Sequence, residues 1–348
     1  MKQADTAADA ENVEQSQETI SAPNVVPREQ LDGVHRVASQ LIEELREVPD
    51  GDLVGDIKLI NKSYKELRYA LKIFAPYRDT RKVSIFGSAR TPELHLDYKS
   101  ASDFGKVMAA QGWMVITGAG GGIMAAGHGG AGADPSFGLA IRLPFEQKTN
   151  IHIENDPKLI NFKYFFTRKL MFLRSSHAVV VFPGGFGTMD EGFEVLTLVQ
   201  TGKAVPMPIV FVNHPGSKFW YAWQEYVENH LLQGGLIGEH DLSLYKITDD
   251  VEEAVKEVTH FYNNYHSIRY AKDDIVMRLN RRPTDAQLAE IKRKFSDIKV
   301  KGEFRVSDPL PVEKDEPALA HLPRLVFQFN RREHGRLRML INHLNDLP

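Results

Sequence analysis

The sequence predicts an α/β fold: a doubly wound, mostly parallel sheet with N-terminal helices and a small C-terminal α+β appendage. Three observations predict it. Short apolar runs such as KVSIF (Lys82–Phe86) and HAVVV (His177–Val181) alternate with helix-compatible stretches, as in strand–helix–strand units. The runs are short and continuous, which suits buried strands. Three of them end in glycine-rich turns, GSAR (Gly87–Arg90), TGAGGG (Thr117–Gly122) and PGGFGT (Pro183–Thr188).

The elements follow in order. Residues 1–27 are rich in Ala, Gln, Glu and Asp and poor in large apolar side chains, so a disordered tail is expected. Residues 28–80 read as N-terminal helices: Leu31, Val34, Val37, Leu41 and Leu45 form one helical stripe, and Leu53–Phe74 a second helix. From 81 to 265 strands and helices alternate. Lys82–Phe86, Trp113–Thr117, Phe137–Leu143, His177–Phe182 and Met207–Val212 are the expected strands. Tyr98–Ala110, Ile123–Ala131, Thr167–Ser175, a stretch from Thr188, Lys218–Leu232 and Glu252–Tyr265 are the expected helices. In the appendage, 266–348, DIVMRL, IKVKGEF and RLVFQF read as strands, and Thr284–Phe295 and Arg332–Leu347 as helices.

Composition bounds the function. With 348 residues, 42% apolar and 26% charged, the chain is long enough for one large domain with additions. No stretch approaches the ~20 apolar residues of a membrane span, and the acidic N-terminus lacks signal-peptide character, so a cytoplasmic protein without membrane partners is expected. With no cysteine there is no disulfide, thiolate zinc site or cysteine nucleophile. The net charge of −3 divides unevenly: from His266 on, 17 Lys+Arg face 12 Asp+Glu, about +5 against −8 for the rest. No basic run interleaved with aromatics accompanies this, so a solvated surface or subunit contact explains it better than nucleic acid.

In an open, Rossmann-like sheet, ligands bind at the carboxyl ends of the strands. Glycine there lets backbone N–H groups approach a ligand, and a following helix directs its positive end at an anion. One such turn is explained by geometry alone; three favour a phosphate-bearing ligand. No Gly-Lys-Ser/Thr follows, and no acidic ribose reader stands about twenty residues on, so a mononucleotide fits better than a dinucleotide. Thr188 reads as an N-cap or phosphate contact, with Asp190 and Glu191 in the first helical turn. Helix-dipole complementarity accounts for acids there. A carboxylate beside an anion pocket can also stabilise a developing oxocarbenium ion.

The stretch PGGFGTMDE (Pro183–Glu191) resembles the PGGxGTxxE motif of the LOG family of cytokinin-activating phosphoribohydrolases, often labelled lysine decarboxylases. The similarity extends to YFFTRKLMF (Tyr164–Phe172), GSAR, TGAGGGIM and LPFEQKTN (Leu143–Asn150), and covers roughly Arg81 to Tyr265. The resemblance implies hydrolysis of the N-glycosidic bond of a nucleoside 5′-monophosphate, in a homodimer or larger assembly, with no metal or organic cofactor. It implies Arg168 and Glu191 as the catalytic pair, 23 residues apart. Gly184, Gly185, Gly187 and Thr188 would hold phosphate and ribose, helped by Gly87, Ser88, Thr117 and Gly118, with Lys169 a structural neighbour. The second loop departs from the YGGGSIGLMG pattern of the short plant-type members, which leaves general purine-nucleotide hydrolysis beside cytokinin production.

Other chemistries have weaker support. The histidines show no HxxxH or HxH spacing near carboxylates in the central domain, and no lysine is marked as a Schiff-base residue for pyridoxal phosphate. Trp220 and Trp223 fall on one helix face and read as packing residues. A nucleotide-binding regulatory protein without turnover would use the same three loops, but has no need of a carboxylate beside the phosphate.

Overall fold

The computed structural model describes residues 39, 40, 43, 53–142 and 148–347. The tail expected over 1–27 and most of the first helical stripe lie outside them, as does part of Leu143–Asn150. The chain divides into two units, Met1–Asn61 and Lys62–Pro348.

Helix α1 (Leu53–Phe74) leads to β1 (Lys82–Phe86), α2 (Leu96–Ala110), β2 (Met114–Thr117), α3 (Ile123–Ala131) and β3 (Ser136–Ile141). Then come β4 (Leu159–Phe162), α4 (Phe165–Ser175), β5 (Ala178–Val181), α5 (Phe186–Gln200) and β6 (Ile209–Val212). Helix α6 (Phe219–Tyr226), β7 (Lys246–Thr248) and α7 (Val251–His260) complete the first sheet and its cover. The seven strands are parallel in the order β4-β3-β2-β1-β5-β6-β7. Strands β1, β2, β3, β5 and β6 are buried almost throughout, which explains their continuous apolar character. One face packs Phe86, Ile116, Val179 and Phe211 with Trp220 and Trp223. The other packs Val83, Ile85, Val115 and Val180 against Phe104 and Val258. The tryptophans are packing residues, as expected.

The appendage is a four-stranded antiparallel sheet, β8 (Tyr265–Ala271), β9 (Asp274–Leu279), β10 (Arg305–Ser307) and β11 (Arg324–Phe327), in the order β10-β11-β9-β8. Helices α8 (Asp285–Lys294) and α9 (His334–Asp346) accompany it. Buried Glu313, between β10 and β11, bonds Arg278 of β9 and Arg324 of β11. Asn345 of α9 bonds the backbone N–H of Asn264 and Tyr265, so helix α7 stops at His260 and β8 begins where a helix was expected.

Three further expectations are corrected. The run IKVKGEF forms no strand: Ser296–Ile298 is a 3₁₀ turn, Lys299 makes an isolated bridge to Phe329, and Gly302 turns the chain at φ +71°. Strands β4 and β7 are additions to the expected sheet, being edges of four and three residues with mixed burial. The expected helix Lys218–Leu232 is α-helical only to Tyr226 and continues as a π-helix over Val227–Leu232.

Candidate active site

Sheet order reverses between β1 and β5, so the loops that follow these strands diverge from one edge, the geometry that opens a ligand crevice. Backbone bonds tie the three glycine loops together there. Ser88 donates its N–H to Pro183 O (3.1 Å), and its carbonyl accepts from Ile123 N–H (3.0 Å). Close approach explains two glycines: a Cβ on Gly184 would lie 2.1 Å from Thr188 Oγ1, and one on Gly122 would lie 2.2 Å from Ser88 O.

A cavity of about 810 Å³ opens on this edge. Gly87, Ser88, Arg168, Gly184, Gly185, Gly187, Thr188 and Glu191 all line it, with Arg90, Met124, Phe165 and Phe219. Two expected site residues do not. Thr117 is fully buried, its hydroxyl accepting from Ala119 N–H (3.0 Å), and Gly118 lies behind Arg168, where a Cβ would come within 2.8 Å of Nη2.

Helix α5 begins two residues earlier than expected. Gly185 is its N-cap and Phe186 its first residue, so Thr188 does not cap it. The two N–H groups of Thr188 and Met189 turn back to Gly185 O instead. Asp190 and Glu191 therefore stand beyond the first turn, where helix-dipole complementarity no longer accounts for them.

Arg168 projects from α4 between Gly118 and the Phe172 ring (5.2 Å), and its Nε is buried with no hydrogen-bond partner among the described residues. Burial lowers its pKa and the Glu191 charge pulls the other way, yet a guanidinium stays protonated at any physiological pH. The side chain of Glu191 is 12% exposed. Burial raises its pKa, while Lys169 and then Arg168 hold it down.

Lys169 is the structural neighbour expected, and more centrally placed than its sequence position suggests. Its ammonium lies 2.8 Å from Asp190, 3.4 Å from Glu191 and 2.6 Å from Glu194. It draws α4 and α5 together and keeps a cation beside Glu191. The start of α4 is anchored in turn by buried Glu66 of α1, which accepts from Lys163 N–H (2.9 Å) and Thr167 Oγ1 (2.8 Å). Sequence reading missed Glu66, whose partners lie about a hundred residues on.

Residues 121–258 match the family model described as "Possible lysine decarboxylase". They form a domain of that family. The family domain contains β2–α3 loop residues from Gly121, Arg168 and the whole PGGFGTMDE stretch. No curated protein gives a significant match to the sequence. Among solved structures, the molybdenum cofactor binding protein of Rippkaea orientalis is 17% identical, with a TM-score of 0.38 over 52% of this chain and 96% of that one. The Moco carrier protein of Chlamydomonas reinhardtii is 20% identical, with a TM-score of 0.36 over 52% and 96%. DNA processing protein A of Helicobacter pylori is 15% identical, with a TM-score of 0.34 over 51% and 80%.

Among the described residues, no lysine lines the 810 Å³ cavity, and the lysine beside it, Lys169, is engaged by three carboxylates. Among the described residues, one side-chain group has metal-ligand composition: His95, Asp97 and His214, with ligand atoms within 4.8 Å of one another. Asp97 Oδ1 accepts from His214 Nδ1 (2.8 Å), and His95 Nδ1 accepts from Asp97 N–H (3.1 Å). The first bond clasps the start of α2 to the loop after β6, and the second caps α2 with His95. Neither residue type nor spacing in the sequence signalled this cluster. No helix among the described residues is long and apolar enough to cross a membrane.

Proposed function

We propose that the protein hydrolyses the N-glycosidic bond of a nucleoside 5′-monophosphate, of AMP or cytokinin-riboside type, to free base and ribose 5-phosphate. One observation carries this reading: Arg168 and the largely buried carboxylate of Glu191 converge on a single cavity walled by the loops after β1 and β5. The 5′-phosphate binds at the N-terminus of α5, against Gly184, Gly185, Gly187 and the Thr188 hydroxyl, where the first N–H groups of the helix and its dipole favour an anion. Gly87 and Ser88 close the other side, and Gly118 supports Arg168 from behind. Glu191 faces the ribose and stabilises positive charge at C1′ as the C1′–N bond breaks. Water adds to C1′, one of its protons leaves with the base, and Arg168 orients the phosphate or the departing base. No organic cofactor or metal takes part in this scheme.

A homodimer or larger assembly belongs to the same reading. Phe165, which lines the cavity, and Phe166, Leu170 and Phe193 on α4 and α5 are exposed, and a subunit contact would cover them.

The Lys169–Glu191 ion pair favours a second reading, a nucleotide-binding regulatory protein without turnover, because it gives the carboxylate a structural reason to be there. Incubating the full chain with AMP or adenosine, followed by chromatography, tests both. Hydrolysis should yield adenine from AMP far faster than from adenosine, since phosphate binding positions the sugar. Bound but unchanged AMP supports the regulatory reading. A protein that neither binds nor cleaves nucleoside monophosphates overturns both.

A further inference from the structure

We propose that His128, with Asn150, is a positioning pair that sets the second glycine loop and through it Arg168; the functional consequence rests on the hydrolase reading. His128 lies in α3 and is 0% exposed. Its Nε2 is 3.0 Å from Phe137 O, an atom that only accepts, so Nε2 carries the proton. The same N–H lies 3.2 Å from Thr117 Oγ1. Nδ1 is therefore bare and accepts from Asn150 Nδ2 (3.2 Å). Burial lowers the pKa of His128 to about 4, which keeps this tautomer neutral at physiological pH.

Asn150 works from the other side of the loop. Its Nδ2 donates to Gly120 O (2.9 Å), its backbone N–H donates to Ala119 O (2.9 Å), and its Oδ1 accepts from His152 N–H (3.2 Å). The loop between these anchors holds Ala119 at φ +63°, a left-handed conformation that a non-glycine residue adopts only when its surroundings impose it. The residue before it, Gly118, is the surface on which the Arg168 guanidinium rests. A buried hydrogen-bonded network of this kind fixes one arrangement of the groups it joins. None of the His128 ring's hydrogen-bond partners, Thr117, Phe137 and Asn150, lines the cavity, so its action is indirect.

Hydrogen–deuterium exchange on the unliganded full chain reads the positioning directly. In His128→Leu and in Asn150→Ala, amides of 118–122 should exchange at least tenfold faster, while those of β1 and β5 stay protected. Unchanged exchange at 118–122 in either folded variant overturns the proposal. Should His128→Leu fail to fold, Asn150→Ala decides alone. With AMP, kcat/KM should fall at least tenfold in both, and His128→Gln, which keeps a donor for Phe137 O, should recover most of the loss. Wild-type turnover in a variant with a loosened loop also overturns the proposal. If the wild type leaves AMP intact, the hydrolase reading fails and exchange alone decides the positioning.

Discussion

The loops after β2 and β5 look alike in sequence and differ physically. In the β2 loop glycine answers crowding within the chain: Gly122 sits at φ +58° against Ser88 O, and Gly118 against Arg168. In the β5 loop, a Cβ on Gly185 or Gly187 would meet nothing within 4 Å, and Phe186 between them is 96% exposed. Gly184 is crowded by Thr188 as the β2-loop glycines are by their neighbours, so the contrast lies in Gly185 and Gly187, which face the cavity. Glycine after a buried strand thus reports either of two needs, and only neighbours in space distinguish them.

The largest expected effect lies on the β5 side. Glu191→Gln keeps shape and removes charge; kcat for AMP should fall by roughly a hundredfold or more, about 3 kcal/mol, while AMP affinity holds or improves. Near-normal turnover would leave Glu191 a partner of Lys169 and nothing more.

The paired glycine variants sharpen the contrast. Gly122→Ala places a methyl group against a backbone carbonyl at positive φ, and should cost about 3–5 kcal/mol in denaturant unfolding. Gly185→Ala meets no obstacle in the chain and should cost under ~1 kcal/mol, while weakening AMP binding about tenfold. Equal stability losses in both variants would erase the distinction between the loops.

Lys169→Met tests the electrostatics around the β5 helix. Burial raises the Glu191 pKa and Lys169 opposes that, so removing the ammonium lets the pKa rise further. The carboxylate is active when ionised, so the acidic limb of the kcat profile should move to higher pH. An unmoved limb would show that Lys169 does not tune Glu191. The smallest effect is expected far from both loops. Deleting residues 1–27 should change turnover by less than about twofold and stability by under ~0.5 kcal/mol, as their composition offers little to bury.

Much of this is readable in the chain itself. The strand Lys82–Phe86 and the helices Leu53–Phe74 and Ile123–Ala131 have the ends their sequence suggests, because apolar periodicity and glycine or proline punctuation act over a few residues. Eight of the ten expected site residues line one cavity because a parallel sheet delivers every strand's carboxyl end to the same edge. Thr188 is not the cap its sequence suggests, because a capping serine or threonine and a threonine in the helix's third position look the same in one dimension.

What the sequence by itself determined was the alternation of buried strands and helices and the glycine turns; Arg168 came to stand beside the PGGFGTMDE motif only through the family resemblance. Only the tertiary structure decided which side chains share a neighbourhood. Lys169 meets three carboxylates across two helices, Glu66 anchors α4 from α1, and His128 meets Asn150 beneath the second loop. Such contacts depend on packing and desolvation between segments distant along the chain, and a local pattern of residue types does not encode them singly.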